Sequence, residues 1–354
     1  MTEEGENLRK GRTTVYNQIT SPIKLESVNR NNIELGKDFL NYLKSVGRAQ
    51  STIEQYSANL NIFWCWNLEH NHDKFFVDLT KRDIIKLQHY CLEEFNWSPK
   101  RLRTFKATLS SLSNYIENIL DDEYPTYRPI INKIESPPNE TVREKTVLTD
   151  EEVQTILDYL IDHEEYEKAV FLSLGVNSGR RKAELARFKM SFFMDRNLIA
   201  NGALYKSPEK IRTKGRGRKG KMLYVYTIAK PFKPYFDLWK AQRQKLGIKS
   251  EWLFPKRNLP EGIDEPREVS TFDNWSEQFS NIIGKPVYPH CLRHKFVSDL
   301  AANNIPNNII KDIVGWSDIS MVDIYNDQDT EETFDKYFDE DGIKTIASNS
   351  IDNM

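Results

Sequence analysis

Apolar residues recur every three or four positions between Asn31 and about Ile119, the period of amphipathic helices. IELGKDFLNYLKSVG, 33–47, sets Ile33, Phe39, Leu40 and Leu43 on one face. STIEQYSANLNIFWCWNLEH, 51–70, opens on Ser51 with Glu54 three residues later, which predicts a capping box. Its apolar side runs through Ile53, Tyr56, Leu60 and Phe63. TKRDIIKLQHYCLEEF and SPKRLRTFKATLSSLSNYIENI complete a predicted four-helix domain over residues 31–120. Before it, residues 1–30 are polar and carry no clear period, so they read as an appended arm. After it, residues 121–146 hold four prolines and no sustained pattern, the composition of a linker.

A second domain, 147–330, starts where Thr149 caps LTDEEVQTILDYLI. EYEKAVFLSLGVNS continues as helix, and residues 197–228 read as strands. KMLYVYTI, 221–228, alternates and is rich in Val, Ile and Tyr, with GRGRKG before it as the turn. The last third returns to helix, with Pro289 at a helix start, Gly315 at a helix end and Ser317 capping the next. In that next helix Met321, Val322 and Tyr325 share a face, the spacing of an ordinary core stripe. The sum is a mainly α chain with a small β-sheet or hairpin, and it has no internal repeat.

Composition narrows the class. The 354 residues are 39% hydrophobic and 29% charged, and no apolar run approaches the ~18 residues of a membrane span. The N-terminal MTEEGENLRKGR has no apolar core of a secretory signal. Cys65, Cys91 and Cys291 lack metal-type spacing and suit a reducing, cytoplasmic compartment. Net charge is −2, but the charge is segregated. Residues 206–221 hold eight Lys/Arg against Glu209, and residues 327–341 hold eight acids against Lys336. A local basic patch of this kind binds phosphate whatever the total charge, although a solvated hairpin has the same composition.

Three stretches carry chemistry. NSGRRKAELARFK, 177–189, sets two arginines after Gly179 with Glu184 and Leu185 following. YPHCLRHKFVSDLAANN, 288–304, puts His290 and Arg293 on one face at the start of a helix. VGWSDISMVDIYND, 314–327, places Trp316 nine residues before Tyr325. Singly, each fits a helix cap or a surface pair. Together with a lysine-rich hairpin they are the parts for attack on a phosphodiester without a metal. Arginine forks neutralise the non-bridging oxygens, histidine moves a proton near neutral pH, and tyrosine is a competent nucleophile.

At these residues the chain resembles the tyrosine recombinase family, the phage integrases and Xer-type resolvases. Ser178-Gly179-Arg180-Arg181-Lys182-Ala183-Glu184-Leu185 is similar to the family's first box and makes Arg181 its catalytic arginine. His290-Cys291-Leu292-Arg293-His294 matches the second box, and Val314-Gly315-Trp316 leading to Ile324-Tyr325 matches the third. Arg180 and Lys182 depart from the family, which often has apolar or small residues there. Trp316 stands where histidine is commoner, which implies packing and a hydrogen bond to phosphate rather than proton transfer. For the hairpin lysine, Thr213-Lys214-Gly215 fits best, with Lys219 and Lys221 as competitors. Ser-Thr-Ile-x-x-Tyr at 51–56 resembles a signature of the family's core-binding domain.

The resemblance, over roughly residues 31–330, implies a two-domain DNA clamp made of a helical, SAM-like core-binding domain and an α+β catalytic domain. It implies Tyr325 as nucleophile, Arg181 and Arg293 on the phosphate, His290 as acid/base and Lys214 as general acid. Glu184 and His294 would support them. Lys100, Arg101, Arg103, Lys106, Arg212, Arg216, Arg218 and Lys219 are the candidate DNA contacts, and a solvated basic face accounts for the first four equally well. The partners implied are duplex DNA with an inverted-repeat core site, three further copies of the chain, and an accessory DNA-bending or directionality factor. No cofactor or metal is expected. Residues 331–354 form an acidic tail expected to dock on a neighbouring protomer as a helix around Phe334, Tyr337 and Phe338. A DNA-binding regulator that no longer cuts and a type IB topoisomerase-like enzyme are the competing readings.

Overall fold

The computed structural model describes residues 16–138, 146–213, 221–316, 318, 338–339 and 342–343. The chain divides into two units, with the main break between Glu144 and Lys145.

The first unit is helical. Helix α1 (Pro22–Ser27) has Pro at its start, and the Ser21 hydroxyl accepts from the Lys24 amide. Helix α2 spans Arg30–Ser45, α3 Gln50–His70, α4 Lys81–Glu93 and α5 Pro99–Ile119. Thr80 and Asp83 close a capping box on α4, and Ser98 with Pro99 starts α5. Helix α3 is the centre of the unit: Ile62, Phe63, Trp64, Cys65, Trp66 and Asn67 are buried in succession, so this half of the helix has no solvent face. The buried amides are hydrogen-bonded. Asn32 and Asn67 both donate to the Lys74 carbonyl, at 2.9 and 2.8 Å, and Asn59 donates to the Thr108 hydroxyl at 2.8 Å.

Three expectations change here. Ser51 does not cap α3, whose N-cap is Ala49, two residues earlier. Glu54 instead accepts from Gln50 at 3.0 Å. The described part of the N-terminal arm is no appendage, because Ile19 and Val28 are buried in this unit's core. Part of the proline-rich linker also packs there, through Ile131. Prolines removed the helical period from that segment without removing its apolar anchors.

The second unit opens with α6 (Asp150–Asp162), capped by the Thr149–Glu152 box. Helix α7 (Tyr166–Ser178) runs through its core, buried at almost every position from Ala169 to Ser178. Phe171 stacks on Phe272 with centroids 4.5 Å apart and meets the edges of Phe254 and Trp275. The short helix α8 (Lys182–Leu185) follows, then strands β1 (Leu198–Ile199), β2 (Leu204–Lys206), β3 (Ile211–Arg212), β4 (Met222–Leu223) and β5 (Tyr226–Ile228). Helices α9 (Ala229–Lys245), α10 (Thr271–Ile283), α11 (Pro289–Ala302) and α12 (Asn307–Val314) complete the unit.

The stretch KMLYVYTI is two strands rather than one. β5 joins an antiparallel sheet ordered β1-β2-β5, while β4 pairs with β3 in a separate hairpin. The break comes at Val225, whose amide donates to the Ser207 hydroxyl and whose carbonyl accepts from the Ser207 amide. In the acidic tail the described residues are an antiparallel strand pair, β6 (Phe338–Asp339) with β7 (Gly342–Ile343), and not the expected helix. Among the described residues no helix is long and apolar enough to cross a membrane.

Candidate active site

The site is built where α7 ends against α11. Gly179 closes α7 in the left-handed conformation (φ 59°), and a side chain there would run into the Phe296 ring of α11. That close approach lets Arg293, on α11, donate from Nη1 to the Gly179 carbonyl at 2.9 Å. Arg293 is only 1% exposed. Its guanidinium lies 5.1 Å from the Trp316 ring centre, a cation–π distance.

Arg181 stands two residues after Gly179, as the N-cap of α8. Its Nη1 pairs with Glu184 at 3.1 Å, and its backbone amide donates to the other oxygen of the same carboxylate at 3.4 Å. Glu184 is buried, whereas the Arg181 side chain is partly open. One buried carboxylate therefore both caps α8 and orients an arginine that still reaches solvent, as a residue awaiting an anion should.

His290 lies in the first turn of α11 and is exposed. Its imidazole pKa is below the ordinary histidine value, first because protein atoms crowd it and then because Arg293 and Arg181 bear on it. The ring is therefore neutral at neutral pH. His294, one turn on, is buried and meets the His290 ring edge-on with centroids 5.1 Å apart.

Trp316 follows α12, whose C-terminus is closed by Gly315 at φ 76°. The Gly315 and Trp316 amides both donate to the Lys311 carbonyl, at 2.8 and 3.0 Å. Trp316 packs with Phe296, Val297, Ile310 and Val314 in a small cluster of its own. The β3–β4 hairpin is tied off at its base by Thr213, whose amide and hydroxyl donate to the Lys221 carbonyl at 2.7 and 2.8 Å. Of the three competing lysines, Lys221 is described, and its Nζ lies 3.4 Å from the Gly315 carbonyl. Arg212 is exposed, and its carbonyl accepts from Arg187 at 3.0 Å. Tyr325, Lys214, Arg216, Arg218 and Lys219 lie outside the described residues.

The four basic residues on α5 divide. Lys106 is buried and donates to Gln88, to the Ile134 carbonyl and to Ser136 at 2.9, 2.7 and 3.0 Å, so it anchors the chain after α5 and is not disposed as a DNA contact. Arg103 donates to the Pro137 carbonyl. Arg101 donates to Asn59 and lies over the Trp97 ring at 4.3 Å. Lys100 is exposed.

One residue of the site was visible in the sequence only as a departure. Arg180 is 1% exposed and donates to the carbonyls of Ile313, Val314 and Tyr224. Arginine is rarely buried so completely, and its partners lie 133, 134 and 44 residues away in sequence. No local pattern could have announced it.

Residues 146–332, more than half of the chain, match the phage integrase family. The SPbeta prophage-derived recombinase-like protein YomM of Bacillus subtilis (strain 168) is 28% identical over 302 residues, covering 83% of this chain and 85% of that protein. A tyrosine recombinase of Thermosipho africanus (strain TCF52B) is 23% identical over 319 residues, covering 86% of this chain and 97% of its own. Among solved structures, the XerH site-specific recombinase bound to palindromic difH in a post-cleavage complex shares the fold, with a TM-score of 0.60 at 16% identity over 80% of this chain and 78% of that one. With the match spanning the unit that holds the two arginines, the histidine and the tryptophan, the chain belongs to the phage integrase family of tyrosine site-specific recombinases.

Proposed function

We propose that Arg181, His290, Arg293 and Trp316 surround the scissile phosphate of duplex DNA and that Tyr325 attacks it. The tyrosine oxygen bonds to phosphorus as the bond to the 5′-oxygen breaks. The product is a 3′-phosphotyrosyl link and a free 5′-hydroxyl. The tyrosine proton leaves to His290, which is neutral and able to accept it, and a hairpin lysine, Lys214, gives a proton to the departing oxygen. Arg181 and Arg293 hold the non-bridging oxygens, whose charge grows in the transition state. Rejoining reverses the step with a second strand's 5′-hydroxyl. The phosphodiester energy is kept in the covalent link, so exchange draws on neither ATP nor a metal.

The observation that carries this reading is geometric: Arg293 of α11 is bonded to the Gly179 carbonyl, two residues before the partly open Arg181, and lies over the Trp316 ring. Two arginines from different elements thus converge beside His290, whose pKa is lowered by burial and then by Arg293 and Arg181, and a phosphate there would meet their positive charge. We assign the first unit to gripping the DNA backbone, with Lys100 as its contact on α5, and the assembly to four copies on two inverted-repeat core sites. An accessory DNA-bending or directionality factor, docking through residues 331–354 and action in the cytoplasm at the nucleoid of a prokaryotic, viral or mobile-element host belong to the same proposal.

The experiment is incubation with nicked suicide duplexes carrying DNA that flanks the coding sequence. A covalent adduct that disappears in Tyr325→Phe supports the proposal, and tight binding without an adduct points to a regulator that no longer cuts. Lys214→Ala should be rescued by a 5′-thiol leaving group. Rescue of Lys219→Ala or Lys221→Ala instead would move the acid to that residue.

A further inference from the structure

Arg180 precedes the phosphate-facing Arg181 but points the other way, into the protein. Its Nη2 donates to the Ile313 carbonyl at 2.5 Å and to the Tyr224 carbonyl at 3.3 Å, and Nη1 reaches the Val314 carbonyl at 3.5 Å. Ile313 and Val314 are the last two residues of α12, where helix carbonyls have no intrahelical partner and the helix dipole favours a cation. Tyr224 is the residue directly after β4. One guanidinium therefore joins the end of the helix that leads to Trp316 with the strand that returns from the β3–β4 hairpin.

We propose that Arg180 is a positioning residue: it holds the end of α12, and with it Trp316, in place against Arg293 and the phosphate site. The inference rests on the recombinase reading for its effect on cleavage, but the clamp itself does not. Burial lowers the Arg180 pKa to about 10, which leaves the side chain charged at neutral pH. Glu184 lies 3.9 Å away and is the same carboxylate that orients Arg181. The clamp and the phosphate-facing arginine thus share one counter-charge. Gly315 is shaped to the clamp: a side-chain carbon there would sit 3.2 Å from Arg180 Nη1 and 2.7 Å from Leu223 Cδ1. A lysine would keep the charge but lose the second nitrogen, Nη1, that reaches the Val314 carbonyl, and with it the planar fork that fixes the group's direction. An apolar residue would avoid the desolvation cost of a buried charge but would leave the end of α12 without these bonds.

The test uses the full chain with Arg180→Met, which keeps length and loses the donors, and Arg180→Lys, which keeps the charge. Hydrogen exchange is read at the Gly315 and Trp316 amides, both bonded to the Lys311 carbonyl. Cleavage is read on nicked duplexes carrying flanking DNA, with an oxygen or a sulfur at the 5′-leaving position. In Arg180→Met those two amides exchange about tenfold faster or more, while the amides of α7 and α11 are unchanged. DNA affinity holds while adduct formation falls about a hundredfold, as expected when a site is displaced by a fraction of its contact distance. The sulfur substrate does not restore it, because the loss lies at the Trp316 side and not at the leaving group. Arg180→Lys falls between the two, and carries the same measurements if the methionine variant does not fold. Unchanged exchange at Gly315 and Trp316, wild-type cleavage, or full rescue by sulfur would each overturn the proposal. If the unaltered protein forms no adduct with any duplex, the recombinase reading fails, and the exchange measurement still decides the clamp.

Discussion

Lys106 in the first unit and Arg180 in the second are both buried cations that donate to backbone carbonyls, yet their neighbourhoods differ. Lys106 binds Gln88, Ser136 and the Ile134 carbonyl, and its pKa is lowered by burial and then by Arg103. It fastens the segment after α5 to both α4 and α5. Arg180 lies beside Arg181 and shares Glu184 with it, and His290 nearby is depressed by burial and then by Arg293 and Arg181. In the first arrangement a lysine with one arginine nearby is met by neutral acceptors alone. The second is a cluster of guanidiniums whose field is felt at a partly open ring. Burial of a basic residue therefore says little by itself; what marks a site is a concentration of positive charge with one face left to solvent.

That contrast can be broken by mutation. Arg181→Ala should lower the rate of adduct formation about 10²–10³-fold with little change in melting temperature, since its side chain is partly exposed and the role proposed for it is to hold the phosphate. Single-turnover cleavage and thermal melting measure the two effects. Lys106→Met should do the reverse. Loss of its charged hydrogen bonds costs about 2 kcal/mol of stability by denaturant titration, and DNA affinity stays as it was. A large drop in affinity at unchanged stability would return Lys106 to the DNA interface.

Gly315→Ala should destabilise by about 1–2 kcal/mol from the left-handed backbone alone, and the approach to Leu223 adds to it. Cleavage should fall further than stability explains, because Trp316 follows directly. For His290 the sign is fixed by the direction of its shift. Its folded pKa lies below the unfolded one, so its contribution to stability is present above the unfolded value of about 6.5 and is lost as pH falls through the folded pKa. Protonating it also removes the proton acceptor, so cleavage should decline on the acid side. Histidine NMR titration should show the midpoint rising in Arg181→Ala, since one of the depressing charges is gone. Lys100→Ala should change least, reducing the salt dependence of DNA binding by about one unit of slope and leaving cleavage of bound DNA alone.

Much of this site could be read in the sequence because its parts are local. His290 and Arg293 share a helix face by their spacing, Gly315 marks a helix end, and Glu184 lies one turn from Arg181. The reading failed where packing overrode a local pattern. Ser51 loses its capping role because α3 starts two residues sooner, after Ala49. Ile19, Val28 and Ile131 lie in polar or proline-rich stretches with no period, yet each is buried in the first unit. Lys106 was legible in principle: it lies four residues after Leu102 and three before Leu109, on the apolar face of α5, and a lysine on that face belongs with the core. Arg180 was not legible, since its meaning depends on carbonyls far along the chain.

The most direct trial of the phosphotyrosine mechanism is denaturing electrophoresis of the protein after incubation with a nicked suicide duplex made from its flanking DNA. A protein–DNA adduct that forms with the unaltered chain and is absent with Tyr325→Phe, while both bind the duplex equally, is the expected result. An adduct that persists in Tyr325→Phe, or DNA bound tightly by the unaltered chain with no adduct, would contradict it.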